Sequence, residues 1–371
     1  MKHIYFWQRM VSPHMSPLAI SLAEQGYKVN YIAEMTMSRH RIKTGWKINS
    51  LQNVNVIIAN DSKNIESIIS NSPKDSIHIC QGLRGNGKVK IAQKFIRKLK
   101  RREWIILETI DDKFFFGFLK RLVYRVLSIY YHNKFEAILA IGHNTNRWLI
   151  ERGFNQKKIF PFAYFLSKPK LDNPLTEKSK EFEFLFIGNL ITRKKIDLLI
   201  RALSLMKDKK FHLKIVGNGP QYKYLKKLSN TLLMDKKLIW VGLVEFNKIP
   251  SILANADCLV LPSRHDGWGA VVSESLLSGT PAICSNSCGV SEIIFNNKYG
   301  RVFNANNIDS LFKELTSMFD FGKLNIQQRK DLKTWSECLS SEYGAKYFIE
   351  ILNFVEDMKN QDKKPTPPWK Q

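Results

Sequence analysis

The 371-residue sequence lacks any long run of apolar residues. A membrane-spanning helix needs about 20 consecutive apolar residues, and every apolar stretch in this chain is shorter. The N-terminal stretch 1–9 is also too short an apolar run for a secretory signal peptide. From these two absences we expect a protein that is neither integral to a membrane nor exported.

Cysteine is scarce as well. The chain has five cysteines, an odd and scattered set. Cys284 and Cys288 are not joined by a histidine or cysteine pair at the spacing of a zinc site. Three of them lie in apolar settings that suit a small buried thiol. We therefore expect reduced thiols and a cytoplasmic protein.

Acidic residues are few relative to basic ones: 33 Asp and Glu stand against 58 Lys and Arg, a formal net charge of +25. The imbalance lies mainly in residues 1–170, which hold 29 basic and 11 acidic residues. Within that half, residues 84–102 contain nine basic side chains and no acid. Such a charge favours an anionic partner, either a membrane surface or a nucleic acid.

Residues 113–125 then interleave basic and aromatic side chains, as a helix at a membrane interface does. Each cation of such a helix is attracted to anionic lipid by about 1 kcal/mol, so we expect residues 84–125 to contact the inner face of the cell membrane. Nucleic acid is not expected, because no recognition motif accompanies the charge. Two alternatives stay open. Biased composition would raise the charge without any partner, and four apolar positions also fit one helical face packed on a core: Phe115, Leu119, Leu122 and Val126.

Short apolar runs alternate with helical patterns through most of the chain, which indicates parallel sheets with right-handed crossovers. A polar stretch with two prolines and several lysines separates two α/β halves and predicts a linker. The predicted fold class is therefore α/β with two Rossmann-like domains. Their boundaries are 1–166 for the first domain, 167–182 for the linker, 183–338 for the second domain, 339–358 for a final helix and 359–371 for a disordered tail.

The most informative stretch is Asp266-Gly267-Trp268-Gly269, which follows a short apolar run and precedes a helical pattern containing Glu274. Taken alone, these acids are most simply a helix cap and a solvated side chain. The glycine turn, however, exposes backbone N–H groups at a helix start, where peptide dipoles favour a phosphate. Eight helical residues span about 12 Å, so two carboxylates at this spacing can bind hydroxyl groups at different ends of an extended ligand. A nucleotide-sugar has that shape.

This stretch is followed by Gly279-Thr280-Pro281 and Gly289-Val290-Ser291-Glu292, and together they resemble the donor-site region of retaining glycosyltransferase family 4. The family has two glutamates separated by seven residues, and here Asp266 stands for the first and Glu274 for the second. The resemblance is strong over residues 182–303 and weaker before them. It implies the GT-B fold of bacterial polysaccharide and lipopolysaccharide glycosyltransferases, in which two Rossmann-like domains face each other across a cleft and the final helix crosses back onto the first.

The predicted donor site draws on several strand ends. Arg193 and Lys194 follow a strand, where they would neutralise the donor diphosphate as it leaves. Relatives have a glycine after this pair and this chain has Lys195, so we expect a differently shaped loop. Asp266 is predicted to contact the sugar and to act with the two cations in catalysis. The predicted donor-binding residues are Gly188, Gly217, Gly267, Trp268, Gly269 and Glu274, with Glu274 on the ribose.

The first domain offers four acceptor-side candidates. His14 lies in a loop that replaces the glycine-rich loop found in relatives, and helix capping is an equal alternative for it. Glu108 and Asp111 stand where many relatives have a histidine. His143 follows a later apolar run, and a structural role is its simpler interpretation.

We therefore predict a retaining hexosyltransferase that uses a UDP- or GDP-sugar to extend a lipid-linked or cell-surface glycan. The sequence has no Asp-x-Asp in a setting suited to a nucleotide-bound metal, so the predicted cations and helix start meet the diphosphate charge, and neither metal nor cofactor is expected. The resemblance implies that the leaving phosphate helps to deprotonate the acceptor. The alternatives are a GT-B relative with other chemistry, such as a nucleotide-sugar epimerase, and a non-catalytic basic protein that binds lipid or nucleic acid.

Overall fold

The computed structural model describes residues 2–37, 51–112, 116–169, 181–295, 298–358 and 363–371. The chain divides into two units. Unit 1 contains Lys47–Ser167 and Cys338–Gln371 together with the first strands of the chain, and unit 2 contains Lys168–Glu337. Each unit has its own sheet.

Unit 1 has a seven-stranded parallel sheet in the order β3-β2-β1-β4-β5-β6-β7. Its central strands are continuous apolar runs, as strands covered by helices on both faces must be; β6, for example, is buried at every position. The strands are His3–Met10 (β1), Lys28–Met35 (β2), Val54–Ile58 (β3), Ile77–Gln81 (β4), Arg102–Glu108 (β5), Ala137–Ile141 (β6) and Ile159–Phe162 (β7). The described helices between them are Ser16–Glu24 (α1), Ser62–Ser70 (α2), Lys88–Lys98 (α3), Gly117–Tyr130 (α4) and His143–Ile150 (α5).

Unit 2 has a six-stranded parallel sheet in the order β10-β9-β8-β11-β12-β13. Its strands are Phe182–Ile187 (β8), Phe211–Val216 (β9), Leu238–Gly242 (β10), Cys258–Leu261 (β11), Ala282–Ser285 (β12) and Gly300–Phe303 (β13). Its described helices are Ile196–Ser204 (α6), Tyr222–Thr231 (α7), Ile249–Asn255 (α8), Ala270–Leu277 (α9), Ser291–Ile294 (α10), Ile308–Phe321 (α11) and Ile326–Ser336 (α12). The predicted α/β class with two Rossmann-like parallel sheets is confirmed.

The last helix, Ser341–Glu356 (α13), belongs to unit 1 although it follows unit 2 in the sequence. The hydroxyl groups of Ser21 on α1 and Ser341 are hydrogen-bonded at 2.9 Å. Further along α13, the Tyr347 hydroxyl donates to the carbonyl oxygen of Pro161 at 3.0 Å. These contacts anchor α13 to unit 1.

Residues 363–371 also pack on unit 1, contrary to the predicted disorder. The Lys364 ammonium donates to the carbonyl oxygen of Gln156 at 2.8 Å, and burial lowers the pKa of Lys364 to about 8. The ring of Trp369 lies against Phe165, with the centroids 6.2 Å apart. The segment is ordered by partners that are distant in sequence, which its own polar composition does not reveal.

Several sequence predictions fall on residues that the structure does not describe. They include most of the linker, at 170–180, and the start of the basic aromatic segment, at 113–115. Among the helices that the structure does describe, none is long and apolar enough to cross a membrane.

A buried histidine, His78 on β4, holds the first strands of unit 1 together. Its Nδ1 accepts a hydrogen bond from the indole N–H of Trp7 on β1 at 3.0 Å. Its Nε2 lies 3.1 Å from the hydroxyl of Ser76 and 3.3 Å from that of Ser72. Because the indole can only donate, Nδ1 is unprotonated and Nε2 carries the ring hydrogen. Burial and then the charge of Arg101 lower the pKa of His78 to about 3, so the ring is neutral.

Acid should therefore destabilise unit 1 through His78. In the unfolded chain the imidazole takes up a proton below about pH 6.5, so the stability from the neutral ring is full above that pH. It is lost as the pH falls from there toward the folded-state pKa of about 3, at about 1.4 kcal/mol per pH unit. The free energy of unfolding, measured with urea, should fall between about pH 7.5 and about pH 5.5. This fall should be about 1.4 kcal/mol larger in the wild type than in His78→Gln.

The matched control is His132→Gln, because His132 is exposed in a turn. This variant should keep the pH dependence of the wild type. Equal pH dependence in wild type and His78→Gln would contradict the assignment.

Candidate active site

Three loops of unit 2 lie side by side at one edge of its sheet. Residues 188–195 follow β8, residues 262–269 follow β11 and residues 286–290 follow β12. β8, β11 and β12 are neighbours in the sheet, so the loops meet at its carboxyl edge. Ligands of open α/β sheets bind at that edge.

Two glycines let the main chains approach closely here. Gly217 follows β9 with φ +134°, and a side chain at this position would lie 2.0 Å from the carbonyl oxygen of Gly188. Gly188 itself has φ +153°. The close approach of the main chains explains Gly217, and the positive φ favours glycine at 188. The predicted contact of both glycines with a donor stays a prediction.

Asp266 brings together the three residues predicted as catalytic. Its Oδ2 accepts a hydrogen bond from the Lys194 ammonium at 2.5 Å, and Arg193 Nη1 lies 3.4 Å from the same oxygen. The Ser263 hydroxyl donates to that oxygen at 3.4 Å. Ser263 is a partner that the sequence analysis did not single out.

The carboxyl group of Asp266 is ionised. Burial by itself would raise its pKa, but Lys194 and Arg193 more than offset this effect and lower the pKa below its usual range. The Lys194 side chain is 14% exposed and that of Arg193 is 37% exposed. Water screens a buried ion pair less than an exposed one. Lys194 is the more buried of the two cations and is therefore the principal counter-charge of Asp266.

The loop that holds both cations keeps the backbone shape of a glycine at Lys195. This residue has φ +53° and ψ +40°, the left-handed conformation, which costs a residue with a Cβ roughly 1–2 kcal/mol. Its ammonium pairs with Asp197 at 3.1 Å. Lys195 therefore holds a conformation that favours glycine, and the expectation of a loop shaped differently from that of relatives stays a prediction.

The turn 266–269 is fixed by the loop that follows β12. The amide of Asp266 donates to the carbonyl oxygen of Ser287 at 3.2 Å, and Gly289 N donates back to Asp266 O at 3.1 Å. Val290 N donates to Trp268 O at 2.9 Å. These backbone hydrogen bonds between the two loops were not predicted from the sequence. The Gly289-Val290 pair is the sequence feature that could have indicated them.

Trp268 has a structural side chain. The indole is 2% exposed and donates its N–H to the Ser273 hydroxyl at 3.0 Å. The prediction of donor binding is therefore corrected for the side chain, since a ligand could meet only the backbone. Gly269 follows with φ +94° and forms the N-cap of α9, where no side chain caps the helix.

Glu274 lies on the second turn of α9. Burial raises its pKa to about 7, although its side chain keeps part of its surface open. No hydrogen bond or ion pair reaches its carboxyl group from the residues that the structure describes. The two acids of the predicted pair are thus in different states near neutral pH, with Asp266 ionised and Glu274 partly protonated.

Two of the four acceptor-side candidates meet at the carboxyl edge of the unit 1 sheet. The Tyr164 hydroxyl donates to the carboxylate of Glu108, and the Tyr164 ring lies 5.4 Å from that of His14. The sequence analysis missed Tyr164, which links the ends of β1, β5 and β7. His14, Glu108 and Tyr164 form the acceptor-side cluster.

The other two candidates, Asp111 and His143, lie near the ends of β5 and β6. The backbone carbonyl of Asp111 accepts a hydrogen bond from Lys120 at 2.6 Å, and His143 is the first residue of α5. The neighbouring Asp112 has a structural role, because its carboxylate accepts from the indole of Trp148 at 2.9 Å.

The family model that matches this chain is described as glycosyl transferases group 1, and it covers residues 167–335. The match includes all three loops at the carboxyl edge of unit 2. The predicted resemblance to a GT-B glycosyltransferase is thereby confirmed in this segment.

Two of the curated relatives with named activities match part of this chain. A UDP-Gal:alpha-D-GlcNAc-diphosphoundecaprenol alpha-1,3-galactosyltransferase of Escherichia coli is 31% identical over 45% of this chain and 44% of its own length. A GDP-mannose-dependent alpha-(1-6)-phosphatidylinositol monomannoside mannosyltransferase of Mycolicibacterium smegmatis is 27% identical over 34% of this chain and 35% of its own length. The chain thus spans less than half of each relative's length in these matches.

Solved structures confirm the fold over nearly the whole chain. The Anabaena protein HepE, crystallised in complex with UDP, superposes with a TM-score of 0.73 at 13% identity. The superposition covers 95% of this chain and all of that protein. The fold is GT-B.

Loss of Lys194 should destabilise unit 2 more than loss of Arg193. Lys194→Met would leave the enclosed Asp266 carboxylate with the more distant Arg193 guanidinium and the Ser263 hydroxyl, so we expect a loss of about 2 kcal/mol. Arg193→Met should cost less than about 1 kcal/mol. Urea unfolding followed by tryptophan fluorescence measures both. Adding Asp266→Asn to Lys194→Met should recover part of the loss, and equal losses in the two single variants would contradict the ranking.

Proposed function

On the premise that residues 167–335 match the glycosyl transferases group 1 model and that the fold is GT-B, we propose that this protein is a retaining hexosyltransferase. It moves a hexosyl unit from a UDP- or GDP-sugar to a glycan or lipid-linked acceptor. The observation that carries the proposal is the contact of Lys194 with Asp266 at the carboxyl edge of unit 2. This contact sets a cation and an ionised acid side by side, next to the start of α9.

The charges of this site suit a leaving diphosphate. Lys194 and Arg193 supply two fixed cations, and the N-terminus of α9 has N–H groups that no side chain caps. Both features stabilise negative charge as it develops on a phosphate. We therefore propose that the diphosphate charge is met by protein groups without a metal or cofactor, and that the leaving phosphate assists deprotonation of the acceptor on the same face of the sugar.

The two acids receive different roles in this proposal. Glu274 accepts hydrogen bonds from the ribose hydroxyl groups, for which its open part and its lack of a described partner leave it available. Asp266 orients Lys194 and contacts the sugar. In unit 1, the acceptor-side cluster of His14, Glu108 and Tyr164 is the proposed place for the acceptor hydroxyl, with Asp111 and His143 as further candidates.

The acceptor is proposed to be lipid-linked or a cell-surface glycan. Two observations support it. The names of the two relatives described above include a lipid, diphosphoundecaprenol in one and phosphatidylinositol in the other, whereas a third relative is a glycogen synthase. The second observation is the surface of α4 in unit 1, which is suited to a membrane.

The helix α4 exposes most of its apolar residues, although Tyr124 and Leu127 pack against the core of unit 1. The alternative that Leu119, Leu122 and Val126 pack on a core is wrong, because all three are exposed. At about 100° per residue, the exposed apolar side chains occupy one continuous arc, which we call the α4 apolar face: Phe118, Leu119, Leu122, Val123, Val126, Ile129 and Tyr130. Lys120 lies on one side of this arc, and Arg121 and Arg125 lie on the other.

An apolar arc with cations along both borders is the arrangement of a helix lying in a lipid interface. We therefore propose that residues 84–125 and the rest of α4 attach the protein peripherally to anionic lipid at the inner face of the cell membrane. Nucleic acid is not proposed as a partner.

Nucleotide binding tests the donor site. UDP or GDP should raise the melting temperature of the wild type by mass action, and Glu274→Gln should reduce the shift. Because the pKa of Glu274 is about 7 and its ionised form accepts more hydrogen bonds, the nucleotide Kd should fall as the pH rises from one unit below 7 to one unit above. The free nucleotide phosphate also titrates, so the informative quantity is the difference between wild type and Glu274→Gln.

The control is Glu314→Gln, a half-buried carboxylate on α11 outside the predicted donor site. This variant should bind nucleotide as the wild type does. No thermal shift with either nucleotide would overturn the transferase proposal. Incubation with labelled nucleotide-sugars distinguishes a transferase from an epimerase. An epimerised nucleotide-sugar without sugar transfer or hydrolysis would indicate an epimerase.

Vesicle flotation tests the membrane contact. Leu122→Ser with Val126→Ser should remove about 3 kcal/mol of apolar burial, which corresponds to more than about 100-fold weaker binding. The matched control is Leu205→Ser with Leu233→Ser, an exposed apolar pair in unit 2, which should change binding little. Unchanged binding in the α4 variant would exclude this face.

A further inference from the structure

Unit 1 contains a large groove between α3 and α4. Its volume is about 1700 Å³, more than the roughly 300–1,000 Å³ of a small-molecule pocket. It extends from the loop after β4 to the starts of β5 and β6. Nothing in the predicted transfer chemistry uses it.

The groove is strongly basic. Of its described lining residues, ten are Lys or Arg and two are Glu. One of these acids, Glu103, is already neutralised, because the guanidinium of Arg97 donates to both of its oxygens at 2.6 and 2.8 Å. The other, Glu136, is bound to Arg102 at 3.0 Å. The remaining cations therefore face the groove in excess.

The wall formed by α3 carries cations at successive turns. Lys90, Lys94 and Lys98 are spaced four residues apart, and helix residues at this spacing repel by about 0.2–0.5 kcal/mol when their charges are alike. The side chains of Lys90 and Lys94 make no ion pair within the described part of the chain. A bound anion would relieve this repulsion.

The opposite wall comes from α4 and is aromatic. Tyr124, Tyr130 and Tyr131 line it together with Leu127. Tyr130 belongs both to this wall and to the α4 apolar face. One helix therefore presents phenol groups toward the cations and apolar groups away from them.

The start of α3 is not the anion site. The sequence 82–88 has the spacing G-x-x-x-x-G-K of a phosphate loop, but Val89 stands where the hydroxyl residue would follow. The carboxylate of Glu34 already accepts the amide hydrogen of Lys88, and a side chain at Gly87 would collide with it. The cationic side chains of the groove, and not its helix N-terminus, are thus left to meet an anion.

We propose that the groove between α3 and α4 binds the phosphate-bearing head groups of anionic lipid while the α4 apolar face enters the acyl region of the same leaflet. The proposal rests on the membrane contact proposed above and deepens it by assigning the lipid charge and its binding site. A second copy of the chain is disfavoured, because two such basic surfaces would repel each other.

Vesicle flotation of the full chain tests the groove. The variant Lys90→Gln with Lys94→Gln should bind vesicles of phosphatidylcholine doped with phosphatidylglycerol about 25-fold more weakly than the wild type, at about fivefold for each cation. Its matched control is Lys223→Gln with Lys227→Gln, an exposed pair at the same spacing on α7 of unit 2, which should change binding less than twofold. Lys90→Arg with Lys94→Arg keeps both positive charges and should bind the vesicles as the wild type does.

The lipid mixtures separate the two proposals. No binding to either vesicle type would defeat the membrane contact itself. Equal binding of the wild type to neutral and doped vesicles, or equal binding by the Lys90/Lys94 and control variants, would overturn the groove proposal alone. Circular dichroism checks that the variants are folded.

Two competitors test the source of the anion. Glycerol 3-phosphate in solution should not displace the protein from doped vesicles at the concentration of accessible lipid; displacement there would point to a free phosphate and overturn the lipid assignment. A single-stranded DNA oligonucleotide should not compete at that concentration either. If it does, and if its binding is lost in the Lys90/Lys94 variant, the groove is a nucleic-acid site and the proposal is wrong.

Discussion

The candidate active site depends on one enclosed charge, the carboxylate of Asp266. Its pairing with Lys194 ties the loop after β8 to the turn after β11, and its backbone ties that turn to the loop after β12. Three strand ends are therefore held in register by one residue. An ion pair of this kind contributes more to orientation than to net stability, because desolvation offsets much of its attraction.

The sequence predicted the residues of this site better than their contacts. Asp266 and Glu274 were identified because glycine turns and acids after a buried strand have a local chemical meaning. The different ionisation of the two acids was not predictable. The low pKa of Asp266 depends on Lys194 and Arg193, more than seventy residues away, and the raised pKa of Glu274 depends on its burial. Tyr164 was missed for the same reason: its partner Glu108 becomes a neighbour only when the strands of unit 1 align.

The fold was predictable as far as periodicity reaches. Alternating apolar runs indicated two parallel sheets, and both are present. Periodicity could not decide what covers an apolar stripe, and α4 therefore remained ambiguous until its burial was known. The predicted disorder of the C-terminal tail was wrong for a different reason. Trp369 packs on Phe165, which is distant in the sequence, whereas the composition of the tail indicates only a polar chain end.

The raised pKa of Glu274 has a kinetic consequence for the proposed donor. With Glu274 protonated, Arg193 and Lys194 outweigh the single charge of Asp266, and the proposed site would attract a diphosphate over a distance, which accelerates association. With Glu274 ionised, that attraction would weaken while the proposed hydrogen bonds to ribose hydroxyl groups would strengthen. Fast capture of the donor and its long residence are thus favoured by opposite protonation states of one carboxyl group.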